Sequence, residues 1–515
     1  MNLPRAECGL SYFQRMALAA AFGLAVLLAG CDPQDVVRWS PDGAHAIVCG
    51  SDGIYLVDGT GKIVGSAPDA WAWMPDSRHV IAVRQVEARN WAQVASLLGE
   101  ERTQAVARAG GELAALLRGY HGDWDKFFSA PDVERWIDSL KKIGPGYTDS
   151  PLESWNLPFV YLHENDAESL APFLATISKE EEKKQALAIL RPRVFELLVK
   201  SAFPEKPPSE RVLLRTVDSI ETVCPSPNGK EIAVVVEEPV RPGLYVIPTD
   251  GGDRVPVDSG ASEANWTPDG QWLTYAKTTL SYDTLSNQML LGTITRCKVC
   301  DREGRLLSKT ENPQDLAGVL FSKGKNSVAC LPDGRILFSG TELGFPTPRN
   351  GAGKFKLFTV RPGPMPKIEQ VVADEEAQRL PDRIDFFSLS PDGRHVAIPG
   401  GDGEVAIVSI ESGKVQKIQG KIEMPDKNHR ANQKENLDSV VPSWRSATEF
   451  SYVRPGKSGA VPKRAEVVLR SLDGASRVIS ATWTDAMTDS FLVRPKGMTA
   501  EALRDARGAT GAKPE

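Results

Sequence analysis

The feature that most constrains this chain is a five-residue corner that recurs along it. Trp39-Ser40-Pro41-Asp42-Gly43 returns as Trp73-Met74-Pro75-Asp76-Ser77, Pro225-Ser226-Pro227-Asn228-Gly229, Trp266-Thr267-Pro268-Asp269-Gly270, Cys330-Leu331-Pro332-Asp333-Gly334 and Leu389-Ser390-Pro391-Asp392-Gly393. A degraded seventh copy is Trp444-Arg445-Ser446-Ala447-Thr448. Repetition on this scale marks an architecture in which each unit buries its apolar faces against its neighbours. Proline presets φ at the second turn position, Asp or Asn at the third bonds nearby backbone, and glycine takes the left-handed conformation that leads into the next strand. Each copy is therefore a strand-turn-strand hairpin. The runs that follow agree: Ala46-Ile47-Val48, Val80-Ile81-Ala82-Val83, Ile232-Ala233-Val234-Val235-Val236, Ile336-Leu337-Phe338 and Val396-Ala397-Ile398 are apolar on both faces, and such strands need cover on both sides.

A further apolar run then precedes a polar turn, as in Ile54-Tyr55-Leu56-Val57 before Asp58-Gly59, and a fourth, more polar strand leads to the next corner. Seven units of four antiparallel strands predict an all-β chain, a β-propeller of seven four-stranded blades. The corner resembles the TolB-type or WD-like propeller repeat of bacterial exported proteins, over Val36 to about Ser480 apart from one insertion. That resemblance implies the fold and little about activity, since such propellers serve as docking scaffolds, receptors and accessory domains of peptidases.

Successive copies of the corner lie 34, 152, 41, 64, 59 and 55 residues apart, and the 152 marks an insertion in the second unit. Between Arg89 and Pro208 the apolar period becomes helical, through Trp91, Val94, Leu97 and Leu98, then Val133, Trp136, Ile137, Leu140 and Ile143. Ser178 and Glu181 form a capping box opening a third helix through Ala186, Leu187 and Leu190, which Pro192 ends. Phe159-Val160-Tyr161-Leu162 reads as a blade strand lodged in the insertion. The expected organisation is a leader at 1–30, a tether at 31–35, blade 1 and the start of blade 2 at 36–88, a helical insertion at 89–208, the remaining blades at 209–482, and a C-terminal extension with a polar tail at 483–515.

At the N-terminus, Arg5 and Arg15 precede an apolar stretch from Met16 to Leu28, the length of a signal-peptide core and too short to span a bilayer. It ends in Leu28-Ala29-Gly30-Cys31, which resembles the lipobox of bacterial lipoproteins. The resemblance implies cleavage before Cys31, diacylglycerol on its thiol, and a mature chain held on the membrane facing the periplasm; Asp32 next to it implies the inner membrane. Asp32 to Asp35 give a reach of roughly 14 Å before the first strand, so the propeller is expected close to the bilayer.

Net charge is −6, and losing a leader that holds Arg5, Arg15 and Glu7 takes it to −7. No Lys/Arg-rich run supplies the footprint of a nucleic-acid binder. Beyond Cys8 and Cys31, the cysteines are Cys49, Cys224, Cys297, Cys300 and Cys330, an odd number that excludes a disulfide framework. Cys297-Lys298-Val299-Cys300 has no second ligand pair and no thioredoxin-like context, and reads as strand residues on opposite faces. His45, His79 and His395 share one repeat position in separate units, and the corner aspartates Asp42, Asp269, Asp333 and Asp392 are accounted for by turn chemistry. No metal ligand, cofactor or catalytic residue is assigned. A GxSxG elbow with its downstream Asp and His does not follow the propeller, and Gly456-Lys457-Ser458 lacks the upstream glycine of a P-loop. The expected function is a membrane-anchored interaction or scaffold module with a protein partner in the envelope. The second reading is a propeller enzyme, hydrolase or lyase, with a non-contiguous site in the central channel. The insertion, with Trp91, Trp124, Trp136 and Trp155, is expected either to cap the rim or to dock a protein.

Overall fold

The computed structural model describes residues 37–495 apart from internal stretches, of which 141–151, 343–355 and 419–440 are the longest. Leu28, Ala29, Gly30, Cys31 and Asp32 lie outside the described residues. The chain is a seven-bladed β-propeller of antiparallel blades, with each blade's first strand innermost.

Blade 1 pairs Val37–Trp39, His45–Gly50, Gly53–Asp58 and Ile63–Ser66. Blade 2 pairs Ala70–Trp73, His79–Glu87, Arg193–Ser201 and Glu210–Thr216, and blade 3 pairs Ile220–Pro225, Glu231–Val236, Gly243–Pro248 and Val255–Ser259. Blade 4 runs Ala261–Trp266, Trp272–Tyr282, Met289–Lys298 and Gln314–Ser322; blade 5 runs Val328–Cys330, Ile336–Glu342, Lys356–Arg361 and Lys367–Gln370. Blade 6 comprises Ser388–Leu389, His395–Pro399, Val405–Ser409 and Val415–Ile418. Blade 7 comprises Ser443–Trp444, Glu449–Pro455, Arg464–Ser471 and Ser476–Thr484, with a fifth strand, Phe491–Pro495, paired on its outer edge. That strand falls where the sequence suggested only an extension.

The second strand of each blade is apolar on both faces because each face meets a different neighbour. In His45–Gly50, Ala46 and Val48 pack toward blade 7, against Val467 and Leu469, while Ile47 packs on Trp73 and Val80 of blade 2. Equivalent clusters fill the other junctions, so every blade is sandwiched and the ring is continuous among the described residues. Each fully buried side chain of this kind contributes roughly 1.5–3 kcal/mol.

The corner tryptophans fasten the ring. Trp73 Nε1 donates to Arg38 O at 3.0 Å, Trp266 Nε1 to Cys224 O at 3.0 Å and Trp444 Nε1 to Ser388 O at 3.1 Å. In each case the acceptor is the residue just before the corner of the preceding blade. Trp39 makes the same link across the closure through a hydroxyl, donating to Ser451 Oγ at 3.1 Å, which in turn donates to Ser443 O at 3.2 Å.

Blade 1 comes wholly from the start of the propeller and blade 7 wholly from its end, so no strand is exchanged at the closure among the described residues. Packing and a few polar contacts hold it: Arg445 Nε donates to Gly43 O at 2.9 Å and its guanidinium lies 5.3 Å over the Trp39 ring. The backbones approach closely here. Gly61 has φ +87°, and a Cβ on it would sit 2.3 Å from Ile479 O. Gly61→Ala should therefore lower unfolding free energy by about 2–4 kcal/mol, combining positive-φ strain with overpacking. Gly334→Ala, at φ +83° with open space around it, should show only the strain, about 1 kcal/mol. Urea midpoints of the two variants check this, and equal shifts would remove the close approach as the cause.

Candidate functional site

The corner residues are turn builders, as their chemistry requires. In blade 1, Ser40 Oγ donates to Asp42 Oδ1 at 2.6 Å, Ala44 N donates to the same oxygen at 3.0 Å, and Gly43 sits at φ +67°. The Ser40 hydroxyl holds the Asp42 carboxyl below the usual carboxylate range, with burial opposing and the Ala44 N–H assisting. Asp269, Asp333 and Asp392 each accept an N–H from their own turn. The three histidines stay apart: His45 meets Phe203 edge-on at 4.8 Å, His79 Nδ1 lies 2.6 Å from Asp76 Oδ2, and His395 tilts over Trp444 at 6.2 Å. Among the described residues no three His, Cys, Asp or Glu side chains converge as a metal site.

Cys297 and Cys300 are both fully buried in the junction of blades 3 and 4, rather than on opposite faces. The strand ends at Lys298, so the period-two rule stops before Cys300, which instead bridges to Leu306. Cys224 packs on the same junction and Cys330 on the next. Burial pushes the Cys224 and Cys300 thiols up to about 12 and those of Cys297 and Cys330 up to about 11. The two fully buried thiols, Cys297 and Cys300, should react with a thiol reagent at pH 8 only once denaturant is added, as read by the mass of labelled peptides; rapid labelling of either in the native protein would show that the junction opens. Cys49 is disulfide-bonded.

The feature that a plain propeller does not need is the insertion between the second and third strands of blade 2. It spans 88–192, shorter than the 89–208 expected, because Arg193–Ser201 is a blade strand paired along its whole length with His79–Glu87. It holds helices α1 (Trp91–Leu98), α2 (Glu100–Tyr120), α3 (Pro131–Leu140), α4 (Leu152–Asn165) and α5 (Ala167–Ala175). Asn90 caps α1, its Oδ1 accepting from Gln93 N at 3.1 Å. Phe159-Val160-Tyr161-Leu162 lies in α4, not in a blade strand. Four apolar residues cannot tell helix from strand by period, and packing decides: Tyr161 meets Trp91 edge-on at 5.3 Å and Phe159 meets Trp136 at 6.2 Å. The Ser178 and Glu181 capping box lies outside the described residues.

Helix α2 organises this body. Val106, Leu113 and Leu117 form its buried stripe, and Gly110 lets α4 approach so closely that a Cβ would lie 2.4 Å from the Tyr161 ring. Trp136 Nε1 of α3 donates to Ala109 O at 3.0 Å. The body is clamped to the propeller by Arg102, whose Nη1 and Nη2 donate to Asp218 Oδ2 and Oδ1 at 2.7 and 2.8 Å. Asp218 sits, 8% exposed, between the last strand of blade 2 and the first of blade 3.

Between α2 and α3 runs an open groove of about 750 Å³ lined by Glu112, Leu116, Tyr120, Asp132, Arg135 and Trp136. The Tyr120 hydroxyl donates to Asp132 Oδ1 at 2.8 Å and holds that carboxyl below its usual range, so Asp132 is anionic at neutral pH. The groove thus offers an apolar floor with Glu112 on one wall and, on the other, Asp132 together with the guanidinium of Arg135. Arg102, Glu112, Tyr120, Asp132 and Arg135 were not singled out from the sequence. The apolar spacing of Val106, Leu113 and Leu117 was the available signal for α2, diluted by intervening Ala and Gly.

No family model matches the chain, and no curated protein matches it. Among solved structures it is similar to TolB from Acinetobacter baumannii (18% identity, 58% of this chain and 61% of that one, TM-score 0.35). It is also similar to oligogalacturonate lyase from Vibrio parahaemolyticus (10% identity, 51% and 71%, TM-score 0.32) and to acylaminoacyl peptidase from Pyrococcus horikoshii (12% identity, 56% and 44%, TM-score 0.33). The match spans less than two thirds of the TolB and peptidase chains, and the likeness concerns the propeller fold alone.

Proposed function

We propose that this chain is an exported propeller, anchored to the periplasmic side of the inner membrane through lipid on Cys31, that holds a protein partner of the cell envelope. The observation that carries the docking role is the insertion: a helical body with its own core, fixed to blades 2 and 3 by Arg102 and Asp218, presenting an open groove of about 750 Å³. Binding sites on loops and insertions held by a rigid scaffold are the common arrangement. Lipobox residues Leu28, Ala29, Gly30 and Cys31 support the anchor, with Asp32 supporting the inner membrane. Several acyl chains on one cysteine would hold far more firmly than one.

A sulfur in a thioether cannot also enter a disulfide, so the anchor has a sharp test. The N-terminal peptide of the mature protein should begin at Cys31 and carry the mass of diacylglycerol, unchanged by reductant. A Cys31 peptide released by reduction from a disulfide overturns the anchor. For docking, cross-linking in intact envelopes should yield a discrete adduct that disappears when 88–192 is replaced by a short turn while the propeller still folds; an adduct that persists moves the role to the blades.

A further inference from the structure

We propose that the helical insertion works against the bilayer surface, where its acidic groove takes a cationic segment of a membrane-embedded protein; this rests on the anchoring at Cys31 proposed above. The first strand of blade 1 starts at Val37 on one face of the disk and ends at its corner on the other, and the second strand returns. Adjacent corners share a face, since Asp42 N donates to Ser77 Oγ at 3.1 Å. By the same alternation the second strand of blade 2 ends, at Glu87, on the face where Val37 starts, and the third re-enters there at Arg193. Chain entry and insertion therefore occupy one face, and the corners the other.

Residues 32–36 can extend about 18 Å. Passing from the inner strand around the rim to the corner face means crossing three strand spacings and the height of a six-residue strand, about 34 Å in all. A lipid on Cys31 therefore turns the insertion-bearing face toward the bilayer. Packed helices about 20 Å thick fill a gap of that width. The chemistry of the insertion then selects the partner. Across 88–192 there are 16 Asp and Glu against 12 Lys and Arg, a net −4, which repels anionic headgroups. The exposed large hydrophobics among the described residues are Val64, Met365 and Ile368, none of them in the insertion, whose described residues therefore offer acyl chains no anchor. On the groove walls the two carboxylates, Glu112 and Asp132, outnumber the one cation, Arg135, and this balance favours a cationic protein segment.

The test places a fluorophore on Gly111→Cys in α2, where a side chain meets open space, or on Arg302→Cys, in an exposed turn of the corner face. The full mature chain is held on phosphatidylethanolamine and phosphatidylglycerol vesicles by its own lipid. In parallel, a chain starting at residue 32 is coupled through its terminal α-amine to an aldehyde-bearing lipid, so that the tether stays short and orientation is read even if Cys31 carries no lipid. A headgroup quencher should dim the dye at 111 severalfold more than at 302; equal or reversed quenching overturns the placement. A transmembrane model peptide with a lysine-rich extension bearing an acceptor should give energy transfer from 111, and a glutamate-rich one should not. Replacing Glu112 and Asp132 together by lysine should reduce that transfer about fivefold. Transfer that ignores this charge reversal, or that bare anionic vesicles abolish by competition, overturns the partner.

Discussion

Trp266→Ala is expected to lower the unfolding free energy by about 3–5 kcal/mol, among the largest effects of any single side chain in the ring. The indole is 6% exposed in the junction of blades 3 and 4, and its Nε1 donates to Cys224 O. Truncation removes the packing and leaves that carbonyl without its donor. Trp266→Phe keeps most of the apolar volume and loses the donor, so about 1–2 kcal/mol is expected. Urea denaturation of the two variants separates the contributions. If the phenylalanine variant costs as much as alanine, the hydrogen bond and not the packing is the fastening; if neither costs more than a fraction of a kcal/mol, the corner tryptophans are not fastenings at all.

Arg102→Ala is expected to cost about 3–5 kcal/mol, because the Asp218 carboxylate is left in a buried site without its cation. The bidentate pair joins α2 to the seam between blades 2 and 3, so the loss should fall on the attachment of the insertion. Limited proteolysis should cut at the stem near 88 and 192 well before the propeller is cleaved, and thermal unfolding should split into two transitions. Replacing both partners by apolar residues should recover most of the loss, since it is the unpaired charge that costs. A single cooperative transition in Arg102→Ala would show that the core around Val94, Ala88 and Val194 holds the insertion by itself.

The blades were legible because each corner is local: five residues specify a turn, and the flanking apolar runs announce strands buried on both faces. Even the degraded copy at Trp444 marked a real corner, where Arg445 N and Ser446 N both donate to Glu449 O, at 2.8 and 3.1 Å. What the tryptophans do was not legible. Trp73 and Trp266 reach backbone 35 and 42 residues away, in another blade, and no spacing rule carries that information. The insertion was read as helical, but its end was misplaced: the helical period was carried on to Pro208, whereas Phe195 and Leu197 are already blade core. The groove escaped notice because Glu112 and Asp132 read as ordinary polar helix residues until α2 and α3 are set side by side.

Among the described residues the ring is closed by side-chain packing and not by an exchanged strand, and this also sets a path for mechanical load. Were the chain held at residue 37 and pulled through a partner seated on the insertion, tension would run along blade 1 into the first half of blade 2. It would reach α2 without entering blades 4 to 7. The contacts first in line would be those of Trp39 and Gly43 with Ser451 and Arg445. Single-molecule pulling between residues 37 and 111 should peel blade 1 away first, at lower force than the remaining blades, which stay stacked on one another as an arc.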